Sequence, residues 1–287
     1  MSARDSACLL LMAFVSCSAP SSTEALDGGE PAPADHAATR ALPAPVEQPH
    51  WSYRGDDGPD AWGRLAPEWA PCAVGHGQSP IDLSGAVARP APALHAAYGA
   101  AKLAIAHNEH TADIVNTGHA VQVSSPRGDV LTLGRDSYEL LQFHFHTPSE
   151  HTVNGQRFPL EAHFVHRAPD GRLAVVAVLF RAGAPNAGLR PVVERLPARK
   201  GVEFHYEHLE TDASYFLPKD RTTFRYEGSL TTPPCTEGVA WVVFASPVSA
   251  SVEQIAALRR ASGTNSRPRQ AAFGRSVTVE RLGEPAL

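Results

Sequence analysis

The run Gln142-Phe143-His144-Phe145-His146 constrains the fold more than any other stretch of the chain. It alternates polar and aromatic side chains with a period of two. Read as a strand, it puts Gln142, His144 and His146 on one face and packs Phe143 and Phe145 behind. A second run, Glu161-Ala162-His163-Phe164-Val165-His166, places Glu161, His163 and Val165 on one face in the same way. If the two strands pair antiparallel, His163 meets the His144/His146 pair.

From about residue 102 onward the chain breaks into short runs that alternate or are rich in β-branched residues, among them DIVN, AVQVSS, LAVVAVLF and VAWVVFAS. Gly, Asn, Asp or Pro punctuates them. Turn-like stretches such as SPRGD and APDGR join several, which predicts antiparallel hairpins. Two helices are predicted, at 186–195 and at 251–260. The second opens on Ser-x-x-Gln, a capping-box pattern, and ends on Arg. Residues 51–80, rich in Trp, Gly and Pro, read as an irregular lead-in segment. The expectation is one mainly β domain over residues 50–287, with short peripheral helices.

Upstream of residue 50 the chain changes character. The apolar stretch at 8–16 is too short to span a membrane and fits the core of a secretory signal, so residues 1–16 read as a signal segment. Residues 18–49 hold eight Ala, six Pro and no aromatic. They cannot bury enough apolar surface to order themselves, and residues 17–49 read as a disordered Ala/Pro-rich linker. Cys17 follows Phe-Val-Ser, which resembles a bacterial lipoprotein cleavage box. Two outcomes fit: lipidation of Cys17 with tethering to a membrane, or simple cleavage with release into the periplasm or medium. The net charge is −5, and residues 17–49, with five acids and one Arg, hold −4 of it. The folded part is nearly neutral, which argues against a nucleic-acid partner.

Cys72 and Cys235 lie in the folded part. In an exported chain an even pair reads as a disulfide, with two buried free thiols as the alternative. The histidines carry the chemistry. Three neutral imidazoles with one position left open make a catalytic zinc site, whereas a structural site closes with a fourth protein ligand. Gln142 and Glu161 each stand two residues before a His on the same face. They are placed to take the second ring N–H. Other catalytic patterns fail: there is no HExxH and no GxSxG, and HTPSEH has three residues between His and Glu where the inverted zinc-protease motif has two.

The segments GQSPIDL, NTGHAVQV, QFHFHTPSEH, EAHFVH and SLTTPPCTEGVAW together resemble an α-class carbonic anhydrase of bacterial type, over roughly residues 50–287. The resemblance implies a large, twisted, mainly antiparallel sheet and zinc-dependent reversible hydration of carbon dioxide to bicarbonate and a proton. It implies His144, His146 and His163 as zinc ligands, oriented by Gln142, the backbone near Asn265 and Glu161. Thr231 matches the threonine that orients the zinc-bound nucleophile, and Glu150 the carboxylate that takes its proton. Thr232 matches a contact to bicarbonate. Val165, Val175, Leu230 and Trp241 match the apolar wall for carbon dioxide. His119 matches the proton shuttle, with Tyr53 and Asn116 ordering water on the proton path; Thr117 stands where the family often has Asn. His107 and His110 read as surface residues. The resemblance also pairs Cys72 with Cys235 and implies cis peptides before Pro80 and Pro234. The implied partner is the small-molecule substrate alone, with a lipid anchor and a homodimer left open. A non-catalytic binding protein, an esterase and a zinc-storage protein are the rival readings. Loss of a zinc His would mark the first, and all three are present.

Overall fold

Alternation of apolar and polar residues becomes strand after strand in the computed structural model of the chain. It describes residues 49–88, 94–97, 112–124, 129–197, 199–206 and 213–281. The signal segment, nearly all of the linker with Cys17, and His107 and His110 lie outside the described residues. The strands are β1 (Val87–Ala88), β2 (Leu94–Ala97), β3 (Ala112–Asn116), β4 (Val121–Ser124), β5 (Val130–Leu133), β6 (Asp136–His146), β7 (Thr152–Val153) and β8 (Gln156–Arg157). They continue with β9 (Leu160–Arg167), β10 (Leu173–Ala182), β11 (Glu203–Tyr206), β12 (Thr222–Ser229), β13 (Glu237–Phe244), β14 (Val248–Ala250) and β15 (Thr278–Arg281). Thirteen form one sheet in the order β1-β15-β12-β13-β10-β9-β6-β4-β3-β11, with β5 also beside β6, β2 beside β5 and β14 beside β10. Most pairs are antiparallel; β10 runs parallel to β13 and β14, and β1 to β15. The architecture is the expected mainly β one. β7 and β8 form a separate small hairpin.

The two faces of the sheet bury different things. Leu140, Phe143, Phe145, Ala162, Phe164, Val176, Val178, Val242 and Phe244 fill one core. Val165, Val175, Ala177, Leu179, Trp241 and Val243 fill the other, so β9, β10 and β13 keep a strict period of two. β6 does not. Tyr138 and Leu140 share a core with Phe143 and Phe145 despite their opposite parity. A bulge resolves the conflict: Leu140 pairs with His166 and Gln142 with Val165, leaving Leu141 as the extra residue. Beyond the bulge the aromatics continue the core, and Gln142, His144 and His146 turn to the other face.

Four short helices among the described residues are peripheral: α1 (Trp62–Leu65), α2 (Pro71–Val74), α3 (Leu189–Val193) and α4 (Val252–Ser262). The Ser251–Gln254 capping box forms at the start of α4. α3 is shorter than the predicted 186–195 because the Asn186 side chain accepts the N–H groups of Gly188 (2.9 Å) and Leu189 (3.2 Å) and starts the helix after itself. The lead-in segment carries α1, α2 and two 3-10 turns, so it is more regular than its composition suggests. A disulfide joins Cys72 to Cys235 across 163 residues, with Cα atoms 5.1 Å apart. The chain-entropy model gives a closed loop of that length about 5 kcal/mol as an upper figure. The peptides before Pro80 and Pro234 are cis as implied, and so is Thr147–Pro148.

His166 lies on the apolar face of β9, opposite Leu140 and Ala174. Burial holds its imidazole down at about 4. The unfolded chain takes up that proton near 6.5, so between these values the unfolded state binds more protons and stability falls as pH drops. This one group contributes at most about 3 kcal/mol, intact above pH ~6.5 and lost on approach to pH ~4. Denaturant midpoints measured across that range are expected to decline in the parent and to decline less steeply in His166→Leu. Parallel pH profiles would remove His166 as the cause.

Candidate metal centre

β6 and β9 pair antiparallel with His144 directly opposite His163 and His146 opposite Glu161. The three imidazoles therefore meet on one face, with ring centroids 4.5 to 5.4 Å apart. One ring nitrogen of each lies within 4.8 Å of the others. The remaining nitrogen is held in every case. His144 Nδ1 donates to Gln142 Oε1 (2.9 Å), His146 Nδ1 to the Asn265 carbonyl (2.8 Å) and His163 Nε2 to Glu161 Oε1 (2.7 Å). The hydrogen-bond network thus assigns each tautomer and leaves one lone pair per ring facing the others. Burial lowers His144 well below the ordinary imidazole value and lowers His146 too, which keeps these rings neutral. His146 Nε2 is buried with no hydrogen-bond partner. That donor set fits a zinc ion: three imidazoles, each tied from behind, with a buried lone pair left over.

His151, Glu161 and His163 make a second close group. Its contacts are hydrogen bonds that satisfy it without a metal. Glu161 Oε1 accepts from the rings of His151 (2.6 Å) and His163 (2.7 Å), and Oε2 from the backbone N–H groups of Glu150 (2.8 Å) and His151 (2.9 Å). Burial alone would raise this carboxyl, but the two imidazoles outweigh it and hold Glu161 well below the carboxylate range. His151 Nε2 then accepts from the Tyr226 hydroxyl (2.6 Å), which meets Ser79 Oγ (2.8 Å). Sequence reasoning missed His151, Tyr226 and Ser79. His151 was within reach, because it closes the HTPSEH motif in which His146 and Glu150 were both given roles.

The other expected residues fall as follows. Val165, Val175 and Trp241 share the apolar cluster on the histidine face, and Leu230 packs on it. The Trp241 ring stands edge-on to His163 at 4.9 Å. Thr231 and Thr232 sit in the turn between β12 and β13, where the Cys235 N–H donates to the Thr232 carbonyl. Glu150 is fully buried; Oε1 accepts the Arg267 N–H (2.8 Å), and Oε2 has no hydrogen-bond partner. The expected bond from the Thr231 hydroxyl therefore does not reach that oxygen. Asn265 does more than offer its carbonyl: Nδ2 donates to the carbonyls of Phe145 (2.8 Å) and His119 (3.0 Å), and Oδ1 accepts the Thr147 N–H (2.8 Å). The His119 ring stacks on Trp51 at 3.7 Å and donates Nε2–H to the Trp51 carbonyl (2.9 Å). Its burial lowers the imidazole below the ordinary value. Asn116 is buried, donating to the Ala261 carbonyl and accepting from the Gly118 N–H. Tyr53 has a buried hydroxyl without a partner.

A mainly β protein with three convergent imidazoles is the class that fold and site define. The family model for eukaryotic-type carbonic anhydrase matches residues 57–280. A carbonic anhydrase from Nostoc sp. is 40% identical over 229 residues, covering 79% of this chain and 85% of the relative. One from Pectobacterium carotovorum is 39% identical over 231 residues, covering 79% and 90%. A solved α-carbonic anhydrase from Thermovibrio ammonificans, in complex with the inhibitor sulfanilamide, superposes with a TM-score of 0.73 at 39% identity, covering 80% of this chain and 99% of that one. The chain belongs to the eukaryotic-type, or alpha, carbonic anhydrase family.

Replacing the ionised Glu161 by an amide puts N–H groups against N–H donors. Glu161→Gln is expected to cost about 3 kcal/mol or more in unfolding free energy, as for a broken buried network. It should also weaken zinc affinity roughly 10- to 100-fold in a chelator competition. Unchanged zinc affinity would show that His163 is oriented by something other than Glu161.

Proposed function

We propose that the chain catalyses reversible hydration of carbon dioxide to bicarbonate and a proton on a zinc ion held by His144, His146 and His163. The observation that carries this reading is the convergence of three back-bonded imidazoles beside an apolar wall. Bound there, zinc supplies Lewis acidity that brings water to ionisation near pH 7, the value known for carbonic anhydrases as a class. The chain's own residues do the rest. Gln142, the Asn265 carbonyl and Glu161 fix the ring orientations. Val165, Val175, Leu230 and Trp241 offer carbon dioxide a surface suited to a neutral, weakly hydrated molecule. Glu150 Oε2, without a hydrogen-bond partner in the structure, is the acceptor this reading gives the Thr231 hydroxyl once the site is loaded. With its proton so engaged, Thr231 would present only lone pairs to the nucleophile and select its orientation. Thr232 contacts bicarbonate. His119 carries the proton outward, using the Nδ1 lone pair left free while Nε2–H is donated to Trp51, with Tyr53 and Asn116 beside the path.

The same reading makes residues 50–287 the catalytic domain, residues 1–16 a signal segment and residues 17–49 a linker. The Cys72–Cys235 disulfide supports an oxidising compartment such as the periplasm. At Cys17, lipidation and simple cleavage predict different mature masses, and membrane partitioning separates them.

Metal analysis is expected to find one zinc per chain, and stopped-flow carbon dioxide hydration should disappear with chelator and in His163→Ala. Full zinc content and activity in His163→Ala would overturn the ligand set.

Shuttle and nucleophile are separable. His119→Ala should lower kcat by roughly 10-fold or more, leave kcat/KM nearly unchanged and recover with imidazole buffer, because proton export follows the attack on carbon dioxide. Thr231→Ala should lower kcat/KM. An equal fall of both parameters in His119→Ala without buffer rescue would assign His119 a structural role and the proton another route.

A further inference from the structure

One concave site plays no part in this chemistry. β9 begins at Leu160, opposite Phe180 of β10, and Pro159 before it has no N–H to extend the ladder. Arg181 and Ala182 of β10 therefore run past the start of β9. Between them, the β7–β8 hairpin and the turn from β13 to β14 lies a depression of about 570 Å³. Its apolar lining includes Val153, Phe158, Pro159, Ala245 and Pro247. Arg157 of β8 and Arg181 of β10 line it together, with the amides of Asn154 and Gln156. No carboxylate is among its described lining residues. Neither guanidinium is in a hydrogen bond or ion pair with a described residue, and both side chains are exposed. Arg172 behaves differently, held by Asp136 (2.9 Å) and Asp170 (2.7 Å), as does Arg225, held by Glu280 (2.7 Å).

We propose that this depression binds a small organic dianion: an oxyanion group carried on a flat apolar body. Guanidinium forks match the oxygens of phosphate and carboxylate groups, and two of them match two negative charges. The apolar lining takes the body, and the volume lies within the roughly 300–1,000 Å³ of small-ligand sites. The chain as a whole carries −5, so a doubly positive recess is a local arrangement and not an overall basic surface.

The test uses the zinc-loaded full chain and three probes followed by protein NMR: phenyl phosphate, inorganic phosphate and phenol. Phenyl phosphate is expected to bind saturably with a Kd of about 1 mM or tighter, to shift resonances of Ala182 and Ala245, and to weaken with salt. Phosphate and phenol each lack half of the ligand and should bind at least about tenfold more weakly. Arg157→Gln and Arg181→Gln should each weaken phenyl phosphate about threefold to tenfold, a solvent-screened charge-assisted contact, and the double variant should lose it. Carbon dioxide hydration should be unchanged in all three variants. No saturable binding would overturn the proposal, as would undiminished binding in the double variant, which places the ligand elsewhere. Phenol or phosphate binding as tightly as phenyl phosphate would reduce the depression to an apolar cleft or a charge patch and would equally overturn it.

Discussion

The Glu161 carboxylate is the interaction on which the site's geometry depends. Its two oxygens accept four N–H groups, which is close to the full capacity of a carboxylate. Two of the donors are rings and two are backbone groups of the Ser149–His151 turn. One buried charge therefore orients His163, fixes the tautomer of His151 and pins the turn that carries Glu150. Such a charge is tolerated in the interior because every lone pair is used. The Tyr226 and Ser79 hydroxyls extend the same network to the lead-in segment, so the candidate metal centre is braced from strands and loop alike.

A second constraint is parity. Were β6 regular, Tyr138 and Leu140 would share a face with His144 and His146, and a core would compete with a metal site for one surface. The extra residue Leu141 separates the two demands within a single strand. The conflict stands in the sequence as apolar Tyr138 and Leu140 at even positions against Phe143 and Phe145 at odd ones, yet nothing local says which residue bulges. The partner strand decides that, because β9 keeps its own alternation from Leu160 to His166.

This contrast explains what could be read in advance. Period-two runs declare their faces, so the meeting of His144, His146 and His163 followed once the strands were paired, as did the capping box of α4. Contacts between distant elements carry no such mark. Tyr226 meets His151 across 75 positions and Ser79 across 147, and the alternation of β12 that sets the face of Tyr226 does not say which distant residues it will meet. The Asn265 side chain escaped for the same reason. From a loop beyond α4 it ties Phe145 and Thr147, on either side of His146, to the carbonyl of His119. The resemblance implied only its backbone.

The placement of unsatisfied groups completes the argument. A buried polar atom without a partner costs about 1–3 kcal/mol, and folded chains carry few of them. Among the described residues His146 Nε2, Glu150 Oε2, Tyr53 Oη and Arg267 Nε are such atoms. All four belong to one neighbourhood: Glu150 accepts the Arg267 N–H, and the Arg267 guanidinium donates to the carbonyls of Cys72 and Ser79 in the disulfide-bound lead-in. Glu161, close by, has both of its oxygens filled. A chain that satisfies four donors on one carboxylate and leaves the next carboxylate with a bare oxygen is not short of hydrogen-bonding groups. On the proposed reading His146 Nε2, Glu150 Oε2 and Tyr53 Oη lie where a metal ion, a nucleophile and a departing proton would need partners, and the saturated network around them would hold those partners in place.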